Sequence, residues 1–361
     1  NDNLAIGYDA MTTNTAGGTK NVMIGNYAGD AITSGDNNVG VGYQAGTAIN
    51  TGGNNTALGT EALRDNTSGG QGVAIGYNAM LKNTTAAYNT AVGNQAMQEN
   101  TTGHSNTAVG HEALKANTTS IQNTAIGRHA LLTNDGGADN VAVGFEAMKL
   151  NTTGADNIAI GYQAMELNTT GTRNTAIGHE AYANSDTEND NLAIGYDAMT
   201  ANTAGGQFNT AIGNYAMDAL TSGDNNTAVG HQALSAATTA ISNTAFGHTA
   251  LTSTVSGGYN TALGYEALYH NLAAANVAVG VYAMKLNTTG TRNIAIGHAA
   301  YDGSDTENDN IAIGYNAMTT NTAGGTQNVA LGNYAGDAIT SGDHNIVIGH
   351  NSGSGITTGT S

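Results

Sequence analysis

A chain of 361 residues with 51 Gly, no Pro, no Cys, no Trp and only 10% charged residues does not have the composition of an ordinary two-layer globule. A formal charge of −18 with nine Lys and Arg in all excludes a phosphate-backbone interface, and the absence of Cys excludes disulfides and thiolate metal sites. No run of about 18 apolar residues is present, so no segment is expected to insert in a membrane.

From the first residues onward one motif dominates. N-D-N-L-A-I-G-Y-D-A-M-T begins at Asn1, returns at Asn189 and recurs as a near copy at Asn308. Its Gly, taken as position 0, occurs 21 times between Gly7 and Gly349; sixteen intervals are 17 residues, three are 18 and one is 16. The 18-residue intervals coincide with N-T-A-G-G at Asn14, Asn202 and Asn321, so the extra residue belongs to a recurring loop. No composition shift interrupts the series, which reads as one continuous array over 1–361. Because Asn1 and Thr360–Ser361 fall inside the repeat, the array is expected to be part of a longer one, or to stack end to end into a filament.

Within each unit, position −3 is Thr, Val, Ile or Leu, position −1 is Ile, Val, Leu or Phe, and the residue between them is Ala in 18 of 21 copies. Alternation with β-branched residues predicts a short strand. One strand per turn, then a second short extended piece and a loop, gives an all-β parallel β-solenoid (β-roll) of 21 coils. Stacked at roughly 4.8 Å, these make a rod on the order of 100 Å long. Asn holds position −4 in 20 of 21 copies, so Asn106, Asn123, Asn140, Asn157, Asn174 and Asn191 are expected to form an amide ladder. The invariant Gly implies a positive φ or a backbone approach too close for a Cβ.

Ala follows at +3 in 20 copies, and +4 is mostly Met or Leu. Where +4 is Gly (Gly29, Gly46, Gly336, Gly353), position +7 is Ile (Ile32, Ile49, Ile339, Ile356); where +7 is Asn, +4 is Met or Leu. Positions +4 and +7 therefore serve one pocket, with Met148 and Ile32 filling equivalent space. The bulkier strand columns are expected to fill the coil. That leaves Ala108, Ala125, Ala142, Ala159, Ala176 and Ala193 as an outward strip along which chains associate.

N-T-A-I-G-x-x-A resembles the head repeat of trimeric autotransporter adhesins of the YadA type, and is similar to repeat shafts of phage tail fibres. The resemblance covers essentially the whole chain. It implies a left-handed parallel roll, a homotrimer and an adhesive role on a cell surface or virion. The 17-residue unit is longer than the usual head repeat, and the motif's final Ser is Ala here.

Position +1 carries rings: Tyr162, His179, Tyr196, His231, His248 and Tyr265 belong to a ladder that packs on itself or presents a binding stripe to a receptor or glycan. His231 and His248, on consecutive rungs, are a weak metal pair without a carboxylate. The acidic loops S-D-T-E-N-D-N at Ser185 and Ser304 read as solvated turns, and N-T-T or N-T-S at Asn66, Asn83 and Asn100 as turn chemistry. No triad or nucleotide cradle stands out, so the expectation is no enzyme and no cofactor: an extracellular structural and adhesive fibre whose main partner is itself. A tail-fibre shaft is the alternative, and an ice-binding solenoid the alternative of another class. The Thr column counts against ice binding if it faces inward.

Overall fold

The computed structural model describes residues 2–359. Asn1, Thr360 and Ser361, on which the expectation of further coils rests, lie outside the described residues. The chain groups into two compact units, Asn1–Thr187 and Glu188–Ser361. The first carries eleven three-residue strands, from Leu4–Ile6 to Thr175–Ile177, and the second carries ten, from Leu192–Ile194 to Ile346–Ile348. No helix occurs among the described residues. Within each unit every strand pairs in parallel with the strand of the next coil, residue for residue: Thr124 lies beside Val141, Ala125 beside Ala142 and Ile126 beside Val143. The fold is a parallel β-solenoid with a repeat of about 17 residues.

Backbone bonds between coils continue past the strands. In the central coils Val141 N donates to Asn157 O (2.8 Å), Gly144 N to Ile126 O (2.8 Å), Glu146 N to Arg128 O (3.0 Å) and Met148 N to Ala164 O (3.0 Å). The expected second extended piece is instead a chain of turns. Positions −5, +2 and +4 adopt left-handed φ, as at Asp139 (57°), Glu146 (55°) and Met148 (50°). Each such non-Gly residue costs about 1 kcal/mol, which the rung-to-rung bonds offset because every turn repeats the same geometry.

Gly at position 0 has both properties expected of it. Gly144 sits at φ 142°, and a Cβ there would meet Gly161 O at 2.1 Å. Only a residue without Cβ lets successive backbones approach this closely.

The core is built from small residues. Ala125 and Ala142 between the strand columns, Ala130 and Ala147 at +3, and Leu131 and Met148 at +4 are all 0% exposed. Met or Leu at +4 supplies most of the buried apolar volume, at roughly 2 kcal/mol each. Ile32 and Ile49 are buried as completely as Met148. A Cβ on Gly29 would lie 2.9 Å from Ile32 Cδ1, and one on Gly46 2.8 Å from Ile49 Cδ1. The two positions therefore share one pocket, as their covariation requires.

The outward alanine strip is overturned. Ala108, Ala125, Ala142, Ala159, Ala176 and Ala193 are all 0% exposed inside their own coils, while the flanking −3 and −1 residues face out, as at Ile158 and Ile160 (39% each). The reason is room. Ala at +3 and Met or Leu at +4 already occupy the interior, and the space left beside the strand admits a methyl group.

Candidate functional site

The Asn ladder is an internal scaffold. Each Oδ1 accepts from the backbone N–H of the next Asn: Asn106 Oδ1 from Asn123 N (2.9 Å), Asn123 from Asn140 N (3.0 Å), Asn140 from Asn157 N (3.0 Å) and Asn157 from Asn174 N (2.9 Å). Each Nδ2 donates across the corner, Asn123 to Gly137 O (2.9 Å) and Asn140 to Gly154 O (2.8 Å). In the second unit Asn191 Oδ1 accepts from Asn209 N (2.9 Å), and its Nδ2 donates to Gly206 O (2.9 Å). Gly72, the one departure, keeps the backbone half of the pattern by donating its N–H to Asn55 Oδ1 (2.8 Å). With all polar atoms engaged and buried, this column presents nothing to a ligand.

A second amide ladder was not anticipated, although its signal was the Asn recurring at +7. Asn83 Nδ2 donates to Asn66 Oδ1 (2.9 Å), Asn100 to Asn83 (2.9 Å), Asn117 to Asn100 (2.8 Å) and Asn151 to Asn134 (2.7 Å). The Asn residues of the N-T-T and N-T-S segments, Asn66, Asn83 and Asn100, are thus buried. The following Thr hydroxyls bond the next coil, Thr84 Oγ1 to Thr101 O (3.0 Å) and Thr101 Oγ1 to Thr118 O (3.0 Å).

The predicted rings do come together. Tyr162 stacks on Phe145 (centroids 5.2 Å apart, planes at 10°) and on His179 (4.8 Å, 12°). In the second unit His231 stacks on His248 (5.0 Å, 18°) and His248 on Tyr265 (5.3 Å, 17°). Tyr196 meets Tyr215 edge to face at 5.4 Å. Tyr215, Tyr282 and Tyr334 were missed because they stand at +2, where +1 is Asn214, Val281 or Asn333. They keep the ladder unbroken from Tyr196 to His350. The substituting Asn bonds the preceding coil, since Asn214 Oδ1 accepts from Tyr196 N (3.0 Å) and Asn333 Oδ1 from Tyr315 N (3.0 Å). In the stacked stretches ring faces cover one another and the edges meet solvent, which suits a structural ladder better than sugar stacking. Tyr265 has its phenol pKa raised by the hydrogen bond to Glu266, and Glu266 is in turn held low by Lys285.

The acidic loops differ from expectation. Glu188 and Glu307 are buried, at 1% and 2% exposure. Glu307 folds back on the chain and accepts from Asp305 N (2.9 Å), Thr306 N (3.0 Å) and Gly324 N (3.0 Å). Gly324 belongs to an 18-residue N-T-A-G-G loop, and Glu188 Oε1 likewise accepts from Gly205 N (3.0 Å). Nearby Tyr301 takes the +4 position inside its coil, and its hydroxyl accepts from Asn310 Nδ2 (2.5 Å) and Asn321 Nδ2 (3.2 Å). Burial pushes that phenol pKa far up. These carboxylates anchor loops by accepting from backbone N–H groups.

Besides the edges of the ring ladder, what is open to solvent in ordered, repeated form is the strand face. Its two columns, −3 and −1, run through each unit with one rung between residues, for example Thr227, Thr244 and Thr261 beside Val229, Phe246 and Leu263. Phe246 is 53% and Leu263 45% exposed. A face of this kind offers flat apolar area interrupted by hydroxyls and contains no acid, base or nucleophile. No protein-family model matches the chain, and no curated protein matches it.

Proposed function

We propose that this chain is a segment of an extracellular structural and adhesive fibre, displayed on a cell or virion surface, in which chains associate through the −3/−1 strand face. Three chains around an axis, each a left-handed roll, is the arrangement that the YadA-type resemblance implies. The role is structural, with no catalysis and no cofactor, and attachment to a receptor or glycan falls to the outward loops.

The observation that carries this reading is the exposure of Ile, Val, Leu and Phe in register on successive rungs, as at Ile158, Ile160, Phe246 and Leu263. An apolar column repeated on successive rungs, beside a column in which Thr interrupts Ile, Val and Leu, is poorly placed in water and well placed against a second copy. Because the chain has no Cys, Ile160→Cys introduces a unique thiol on this face. Under mild oxidation, disulfide-linked dimers are expected from Ile160→Cys and not from His104→Cys in a loop. Equal cross-linking from both positions contradicts the assignment.

One observation favours a second reading. Thr210, Thr227, Thr244 and Thr261 occupy four consecutive rungs of the outward −3 column, which removes the objection that the Thr column faces inward. A regular array of hydroxyls and methyls is the type of surface that orders water in ice-binding solenoids. Thermal hysteresis at millimolar chain concentration tests this reading, and its absence leaves the fibre.

A further inference from the structure

We propose that His111, Glu112 and His129 form a binding site for a borderline divalent transition ion of the Zn2+ class. Their ligand atoms lie within 4.8 Å of one another on two successive coils. His111 and Glu112 are the +1 and +2 residues of one coil. His129 is the +2 residue of the next, where Arg128 has taken +1 and laid its guanidinium over Phe145, 5.6 Å from the ring centroid. This displacement sets the geometry. The two imidazoles are tilted by 52° with centroids 5.6 Å apart, whereas His231 and His248, both at +1, lie face to face with planes at 18°.

His129 is held from both sides. Its Nδ1 is 3.3 Å from Glu146 Oε1, and its Nε2 is 3.3 Å from Glu112 Oε2. With Nδ1 turned to the Glu146 carboxylate, Nε2 faces the Glu112 oxygen, and a cation between the two would be shared by both.

A carboxylate behind Nδ1, with Nε2 turned toward a second ligand, is the arrangement that orients histidines in metal sites. The 3.3 Å separation of Nε2 and Oε2 matches the edge of a tetrahedron with metal–ligand bonds of roughly 2.05 Å. Lys115 Nζ occupies Glu112 Oε1 at 2.7 Å, so Oε2 is the oxygen left for the ion. His111 is exposed, and its ligand atom already lies within 4.8 Å of the other two, so it serves as third ligand, with water completing the shell. Two nitrogens and one oxygen select Zn2+, Ni2+ or Cu2+ over Ca2+ or Mg2+.

The test is calorimetric titration of the full chain with ZnCl2 at pH 7.5, with CaCl2 as control and circular dichroism to verify each variant. His111→Ala, on an exposed side chain, and Glu112→Gln are each expected to remove one zinc equivalent or weaken it at least about tenfold. Glu146→Gln, which removes no ligand, is expected to weaken it about ten- to a hundredfold. His298→Ala is expected to leave the isotherm unchanged. An isotherm equally insensitive to His111→Ala and Glu112→Gln, or zinc uptake no tighter than that of calcium, overturns the site.

Discussion

At the scale of single residues the solenoid treats polar groups in two ways. The amides of the −4 column are paired from rung to rung, whereas the +7 ladder leaves a buried Oδ1 without a partner among the described residues where its run ends, as at Asn168 and Asn287. Carboxylates that appear once or twice are either seated on backbone N–H groups, as Glu307 is, or left partly stranded. Asp302 is of the second kind: its Oδ1 is buried without a hydrogen-bond partner among the described residues, and desolvation raises its pKa above the ordinary 3.8. A raised folded-state pKa means that the ionised form is penalised by folding. The penalty is absent below the unfolded value, grows as pH climbs toward the folded value, and is fully present above it. Asp302→Asn is therefore expected to raise the urea midpoint at pH 7, with a gain that vanishes as pH falls below about 3.8. A gain that persists undiminished at pH 3 contradicts the assignment to desolvation. The Asn and Gly roles were legible from sequence because identical residues one coil apart have only each other as neighbours. The burial of Glu307 was not, since S-D-T-E reads as a polar turn and its partner, Gly324 N–H, is supplied by a loop variant one coil on.

At the scale of the coil, the volume available beside the strand decides what the strand means. Alternation predicted the two faces correctly and could not rank them. A preference for burying bulk put Ile and Val inside, whereas the space remaining after +3 and +4 are filled admits only Ala. One signal in the sequence could have revealed this. The Ala column holds Met23 and Val347 in two of the coils where +4 is Gly, and Gly40 follows Met23 on the next rung. In the structure a Cβ on Gly40 would lie 2.5 Å from Met23 Sδ, and one on Gly353 2.6 Å from Val347 Cγ1. Gly40→Ala is thus expected to cost about 1–3 kcal/mol by overpacking. Adding Met23→Ala is expected to recover most of it, because Ala330 with Gly336 and Ile339 already shows that combination in another coil. Urea midpoints of the two single variants and the pair give the coupling; strict additivity would mean that the two residues do not share the space. The rings at +2 were likewise hidden, because the left-handed φ that brings Tyr215 (59°) into the ladder belongs to a residue type that rarely adopts it.

At the scale of the whole molecule, the inward Ala column moves the proposed self-association surface to the opposite side of the strand. Chains that meet through methyl groups would lie close and flush; chains that meet through Ile, Val, Leu and Phe interdigitate and exclude more water per rung. The proposed role as a fibre depends on that contact, since a β-solenoid without partners exposes its apolar columns along its length. The most direct measurement is the molar mass of the native particle by light scattering coupled to size exclusion, for the wild-type chain and for Ile160→Asp/Ile177→Asp. A wild-type mass close to three times the 36.2 kDa chain is expected, falling to a single chain in the variant. A wild-type particle of one chain, or an assembly untouched by the two aspartates, would contradict the proposed contact.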